Sequence, residues 1–176
     1  MAFQHPLDFI PYNFRMWLFV IFAVLTATVL LIFQFLDQPL RTPAAPSGTV
    51  SFELAGSVEK ARYIMDSWNK EALINSAFGL GFDFLFMPVY ATTLSLGVLL
   101  AAERRSGSWS KIGKVLGWGA YVAVVFDSTE NIALLSILRG NIAAPYPQLA
   151  ALCASIKFGL ILGTMIYGLV GWLFPE

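Results

Sequence analysis

The stretch MWLFVIFAVLTATVLLIFQFL, residues 16–36, decides the fold class of this chain. Its 21 residues contain no charged side chain. As an α-helix the stretch would rise about 31 Å, at about 1.5 Å per residue, which matches the roughly 30 Å hydrocarbon core of a bilayer. Because a cleaved signal peptide has a shorter apolar run of about 7–15 residues, we expect an uncleaved membrane span.

Three further stretches are long and apolar enough to cross a bilayer: residues 77–102, 115–138 and 149–174. A membrane strand would alternate polar and apolar residues over about ten positions, whereas these stretches are longer and apolar on all sides. The sequence therefore predicts an all-α membrane protein. We expect residues 1–176 to form a single transmembrane domain, an up-down four-helix bundle.

Composition supports the same class. Of the 176 residues, 57% are hydrophobic and only 12% are charged, against about 25% charged in a typical soluble domain. A soluble globular protein and a disordered chain are both excluded. Eleven basic residues balance eleven acidic ones, so no nucleic-acid partner is indicated. The lone cysteine and lone histidine exclude an internal disulfide and a site built from several imidazoles, and no cofactor is expected.

The distribution of cations predicts the orientation. Four spans place both termini on one side, together with the short loop 103–114, which carries four cations. In the long loop 37–76 on the other side, four cations are offset by acids. Because cations in short loops mark the cytoplasmic side, we expect both termini in the cytoplasm, in a bacterial inner membrane. Three tryptophans fall at that same edge, as an aromatic belt would: Trp17, Trp118 and Trp172.

Loop 37–76 is predicted to form a small non-cytoplasmic cap. Residues 50–54 alternate apolar and polar side chains, a short strand-like pattern. Ser57 then resembles a helix N-cap, and residues 58–68 carry one apolar stripe at helical spacing. We interpret the second segment as an amphipathic helix lying on the bilayer or capping the bundle. A lid over a binding site is the alternative.

Four charged residues lie inside the spans, where each is costly and marks a candidate site. Counting from the turns near residues 107 and 143 places Asp83 at the depth of Asn131, and Glu130 at that of Lys157. Asp127 follows about one turn deeper, and helical phase puts the polar residues of each span on one face. The candidate ligand- or ion-binding residues are Asp83, Tyr90, Asp127, Glu130, Asn131 and Lys157.

Three functions remain open for this polar layer. Three acids against one lysine leave a formal charge of −2, so protons, a cation or water must balance a buried cluster. The favoured hypothesis is an accessory or interaction protein whose buried network fixes helix register. The first alternative is binding or conduction of a proton, cation or small amphiphile. The second is a membrane-embedded enzyme acting on a lipid-like substrate.

An enzyme is the less favoured class, and no catalytic residue is assigned. The string 79–83, GLGFD, is similar to the signature of intramembrane aspartyl proteases, but it has one extra residue before Asp83. The match is therefore rejected. His5 lies outside the spans, so no Ser–His or Cys–His pair can form there. The identity of any metal stays open. The expected partners are the lipid bilayer and a membrane partner subunit or second copy of the chain.

Several strings carry a resemblance to a known group. They are Phe52–Gly56 (FELAG), Asp83–Phe86 (DFLF), Asp127–Asn131 (DSTEN) and Lys157–Phe158. Together they resemble a set of uncharacterised bacterial four-span membrane proteins with a D-x-x-E-N string in the third span. The resemblance covers roughly residues 48–170 and implies a four-span fold, but no activity.

Overall fold

The computed structural model describes residues 4–104 and 106–174. Four long helices dominate it, and each of the predicted spans lies within one of them to within one residue. All four are long and apolar enough to cross a membrane, as predicted. In chain order the helices are α1 Tyr12–Asp37, a 3₁₀ turn Gln38–Leu40, α2 Thr49–Glu53, α3 Val58–Asp66, α4 Lys70–Ala102, α5 Gly107–Leu138 and α6 Tyr146–Leu173.

Local signals in the sequence account for the start of α4 and the end of α5. Asn69 caps α4, since its side-chain oxygen accepts the Ala72 backbone N–H at 2.9 Å. Helix α5 closes through two backbone bonds, from Gly140 to the Ile137 carbonyl (2.9 Å) and from Asn141 to the Ser136 carbonyl (3.1 Å). This Schellman geometry needs a left-handed residue, and Gly140, at φ +94°, provides it.

The chain divides into two compact units. The first comprises Met1–Ala27, Met87–Val125 and Lys157–Glu176, and the second comprises Thr28–Phe86 and Phe126–Ile156. Each of the four long helices contributes one segment to each unit. The segments from the 3₁₀ turn to α3 belong to the second unit.

The second unit is organised around Trp68. Its ring packs edge-on against Phe52, with centroids 5.0 Å apart, and its indole N–H donates to the Leu40 carbonyl at 2.9 Å. This one side chain thus joins the 3₁₀ turn and α2 to the segment that follows α3. Buried residues of the three long helices α4, α5 and α6 belong to the same apolar cluster: Ala72, Leu80, Ala133, Leu134, Ile137 and Ala150.

The amphipathic helix predicted in the cap is α3. As expected from the sequence, the Ser57 hydroxyl caps it and accepts the Lys60 backbone N–H at 3.2 Å. Ala61 and Ile64 of its apolar stripe are fully buried. The pKa of Glu59, in the first turn, is lowered by a hydrogen bond from its own backbone N–H and by one from Ser57.

The strand-like reading of residues 50–54 is wrong. Residues 50–53 belong to the short helix α2 and Leu54 directly follows it, and no strand is found in residues 4–104 and 106–174, only an isolated bridge between Thr42 and Ala45. A lone strand would leave its backbone groups without a partner strand. A helix instead satisfies them internally, and the Asp37 carboxylate accepts the first free N–H, that of Thr49, at 2.7 Å.

The first unit is held together by close helix contacts and an N-terminal segment. A Cβ atom on Gly171 of α6 would lie 2.7 Å from the Ala101 Cβ of α4, so glycine is what allows these helices to approach. The threonine hydroxyls of Thr26 and Thr93 meet at 2.8 Å between α1 and α4. Before α1, the Gln4 carbonyl accepts the Trp118 indole N–H at 3.0 Å.

Helix α1 contains no buried residue. Large apolar side chains are exposed along its whole length, an arrangement that water does not tolerate over so large a patch and hydrocarbon does. The exposed residues are Tyr12, Phe14, Met16, Trp17, Val20, Ile21, Val24, Leu25, Leu30, Leu31, Ile32 and Phe35. The exposure agrees with a membrane helix that faces lipid.

His5 is buried in the first unit, and this burial makes the stability depend on pH. Its Nδ1 accepts the Leu7 backbone N–H at 3.2 Å, so the ring is neutral with its proton on Nε2. Burial lowers the pKa of His5 from 6.5 to about 4; Asp8 opposes the shift, whereas Arg15 and Lys114 add to it.

We therefore expect the protein to lose stability as the pH falls from about 6.5 to about 4. In that window the unfolded chain binds a proton at His5 that the folded chain does not bind, so acid favours unfolding. Above pH 6.5 the contribution is fully present. The measurement is Tm in detergent against pH, for the wild type and His5→Gln. The variant should lack this part of the slope, and identical profiles would contradict the prediction.

Candidate functional site

The six predicted site residues are divided between the two units. Asp83, Asp127, Glu130 and Asn131 belong to the second unit, and Tyr90 and Lys157 to the first. Five of the six are buried, and Asp83 is intermediate. Charged residues are almost never buried in this way unless something inside the protein compensates them.

Asn131 and Asp83 are in direct contact, as the matching of depths predicted. The Asn131 side-chain amide donates to the Asp83 carboxylate at 2.8 Å. It also donates to the backbone carbonyl of Leu80 at 3.3 Å. An asparagine amide has two N–H groups, and both are directed at α4. Because the two acceptors lie one turn apart on that helix, they define the position of α5 along α4.

Asp127 and Glu130 lie one turn apart on α5. Residues three apart share a helix face, and both side chains are buried, with exposed fractions of 2% and 0%. Both have interactions within the protein. Two buried carboxylates on one helix face would repel each other if both were ionised.

Tyr90 of α4 and Lys157 of α6 belong to the first unit and are both buried. Their exposed fractions are 6% and 5%. The Lys157 ammonium lies 4.8 Å from the centroid of the neighbouring Phe158 ring, within the range of a cation–π interaction. Both residues make other interactions in the protein.

Metal ligation was left open by the sequence. Across residues 4–104 and 106–174, no group of three or more His, Cys, Asp or Glu side chains is placed to hold a metal ion. The polar groups of the second unit instead form a hydrogen-bonded contact between an amide and a carboxylate, and an acidic pair on one helix face.

Two buried polar residues of the second unit were missed by sequence reasoning. Phe52 and Glu53 are both buried in α2, whereas a strand over residues 50–54 would have put these two side chains on opposite faces. Ser76 of α4 is 2% exposed, and its hydroxyl has no hydrogen-bond partner among the residues described. Its spacing of seven from Asp83 puts the two on one helix face, and that periodicity was the signal available for finding it.

The geometry thus offers three arrangements: an amide–carboxylate contact between α4 and α5, an acidic pair on α5, and a buried lysine on α6. None of them is a catalytic constellation in itself. The resemblance to bacterial four-span proteins stays an expectation. No protein-family model, curated protein or solved structure matches the chain.

Proposed function

We propose that this chain is a small integral membrane protein with an accessory or interaction role, in which buried polar contacts fix the register of the helices. The observation that carries the proposal is the double hydrogen bond from Asn131 to Asp83 and to the Leu80 carbonyl. It accounts for the most deeply placed amide in the chain without requiring a substrate.

Other registers of α5 along α4 are less stable for an energetic reason. A hydrogen bond between membrane helices contributes only about 0.6–2 kcal/mol. A shift of α5 along α4 would, however, leave an amide and a carboxylate unpaired in an apolar medium, at a cost of several kcal/mol. The contact therefore discriminates strongly between registers although it stabilises the correct one modestly. A single buried asparagine has this role in coiled coils.

We further propose an up-down topology with both termini in the cytoplasm of a bacterial inner membrane, and with the cap 37–76 on the opposite side. The cation-rich loop 103–114 supports this orientation. The exposed apolar face of α1 supports contact with lipid, a partner subunit or a second copy.

Replacement of Asn131 tests the register role. Asn131→Leu keeps the number of side-chain heavy atoms but removes both hydrogen bonds, so we expect a loss of about 1–3 kcal/mol in the free energy of unfolding in detergent. Asp83→Asn retains an oxygen that can accept from Asn131, and it should cost clearly less. Asn141→Leu, in an exposed loop, is the matched control. Equal stability of Asn131→Leu and this control would rule out the register role.

A second candidate function is binding of a proton or cation, and the burial of Asp127 and Glu130 on one face of α5 favours it. The test is the melting temperature with added Na⁺, K⁺ or Ca²⁺, for the wild type and Asp127→Asn. If the acids are structural, the variant is less stable and no ion raises Tm. A saturable, ion-specific rise that disappears in Asp127→Asn would replace the first function by the second.

The proposed orientation is testable by labelling in intact cells. In a Cys153→Ala background, which removes the native buried thiol, we expect Ser108→Cys to resist a membrane-impermeant maleimide. Tyr63→Cys, at an exposed position of α3, should react. Both sites should react after the cells are permeabilised, which confirms that each thiol is accessible. Labelling of Ser108→Cys alone in intact cells would invert the topology.

A further inference from the structure

A small cavity opens in the first unit where the N-terminal segment meets the ends of α4 and α5. Its volume is about 90 Å³. Leu99 contributes an apolar wall, and the charged and hydroxyl groups come from three parts of the chain: Asp8, Arg15, Glu103, Ser110 and Lys114. The cavity is separate from the polar residues on which the proposed function rests.

Two of the four charges in this cavity satisfy each other. Arg15 of α1 forms an ion pair with Glu103, just after α4. The same guanidinium also donates to the backbone carbonyls of Ile10 at 2.8 Å and Asp8 at 3.0 Å. Each of the three guanidinium nitrogens of Arg15 is therefore engaged in holding the N-terminal segment against the rest of the unit.

The other two charges do not pair. The Asp8 carboxylate accepts the backbone N–H of His5 at 2.8 Å, but it forms no ion pair with the residues described. The Lys114 ammonium forms neither a hydrogen bond nor an ion pair within the described part of the chain. One acid and one base thus face the same cavity without neutralising each other, and Ser110 lies one turn before Lys114 on the same face of α5.

The cavity lies where the apolar runs begin. Arg15 directly precedes the run 16–36, and Lys114 directly precedes the run 115–138. Trp17 and Trp118 are exposed at this level, as tryptophans are at the interface between hydrocarbon and head groups. The molecules that surround this cavity in a membrane are therefore lipid head groups.

We propose that this cavity binds a zwitterionic head group of the phosphoethanolamine class, with its phosphate on Lys114 and Ser110 and its primary ammonium on Asp8. A phosphate alone would leave the acid unpaired, and an amine alone would leave the lysine unpaired. The cavity is small, about 90 Å³, so it suits the charged groups of a head group and not an acyl chain. A trimethylammonium group has no N–H to donate to Asp8 and is bulkier.

The experiment measures the melting temperature of the full chain in detergent while short-chain phosphatidylethanolamine is added. We expect a saturable rise that exceeds the rise with the phosphatidylglycerol or phosphatidylcholine of the same chain length. Lys114→Gln and Asp8→Asn should each raise the half-saturating concentration about tenfold or more, since each removes a hydrogen bond to a charged group. Lys111→Gln, an exposed lysine one turn away on α5, is the matched control and should leave it unchanged.

Two further arms make the result decisive. Water-soluble glycerophosphoethanolamine separates the sources: stabilisation by it at similar concentrations indicates a free metabolite, and stabilisation by the lipid alone indicates a membrane head group. Lys114→Arg, which keeps the charge, should retain binding. This variant tests the role of the charge if Lys114→Gln proves unstable without lipid. Equal stabilisation by all three lipids, or loss in Lys114→Gln but not in Asp8→Asn, would overturn the zwitterion site.

Discussion

Hydrocarbon offers no hydrogen-bond partner to a peptide group or a charge, and the four long apolar helices fit this constraint. A segment that crosses a membrane must satisfy its own backbone, which only a helix can do within one segment. It also explains why α1 can expose large apolar residues along its length without burying any. Close contacts such as that of Gly171 with Ala101 let helices of the first unit approach each other, as small residues do between membrane helices.

The same constraint sorts the charged residues. Asp127 and Glu130 are buried away from water, so groups within the protein must compensate for their lost hydration. Asp83 is only partly buried, yet it receives an amide hydrogen bond from Asn131. These residues suit two different roles. The neutral Asn131 amide donates to the Asp83 carboxylate without cancelling its charge, so this contact suits a role in fixing the register. The two acids Asp127 and Glu130 would repel each other if both were ionised, so they suit a role in binding a positive charge.

The four spans and the depth of Asp83 could be predicted because they follow from constant helix geometry. A long apolar run has few alternatives, and a fixed rise per residue lets residues on neighbouring helices be matched by counting. The predicted pairing of Asp83 with Asn131 depends on nothing else. The strand predicted for residues 50–54 was wrong because five residues are too few to separate a period of 2 from a period of 3.6. Glu53 was misplaced with it.

The N-terminal cavity lay beyond sequence reasoning for a different reason. Residues 4–11 have no periodicity, and their position is set by individual contacts such as Trp118 with Gln4 and Arg15 with Asp8. Nothing in the order of residues indicates that Asp8 and Lys114 face one space. Depth nevertheless explains why they persist there unpaired. A charge at the membrane edge keeps access to water and head groups and costs little, whereas the same charge inside the span needs a partner within the protein.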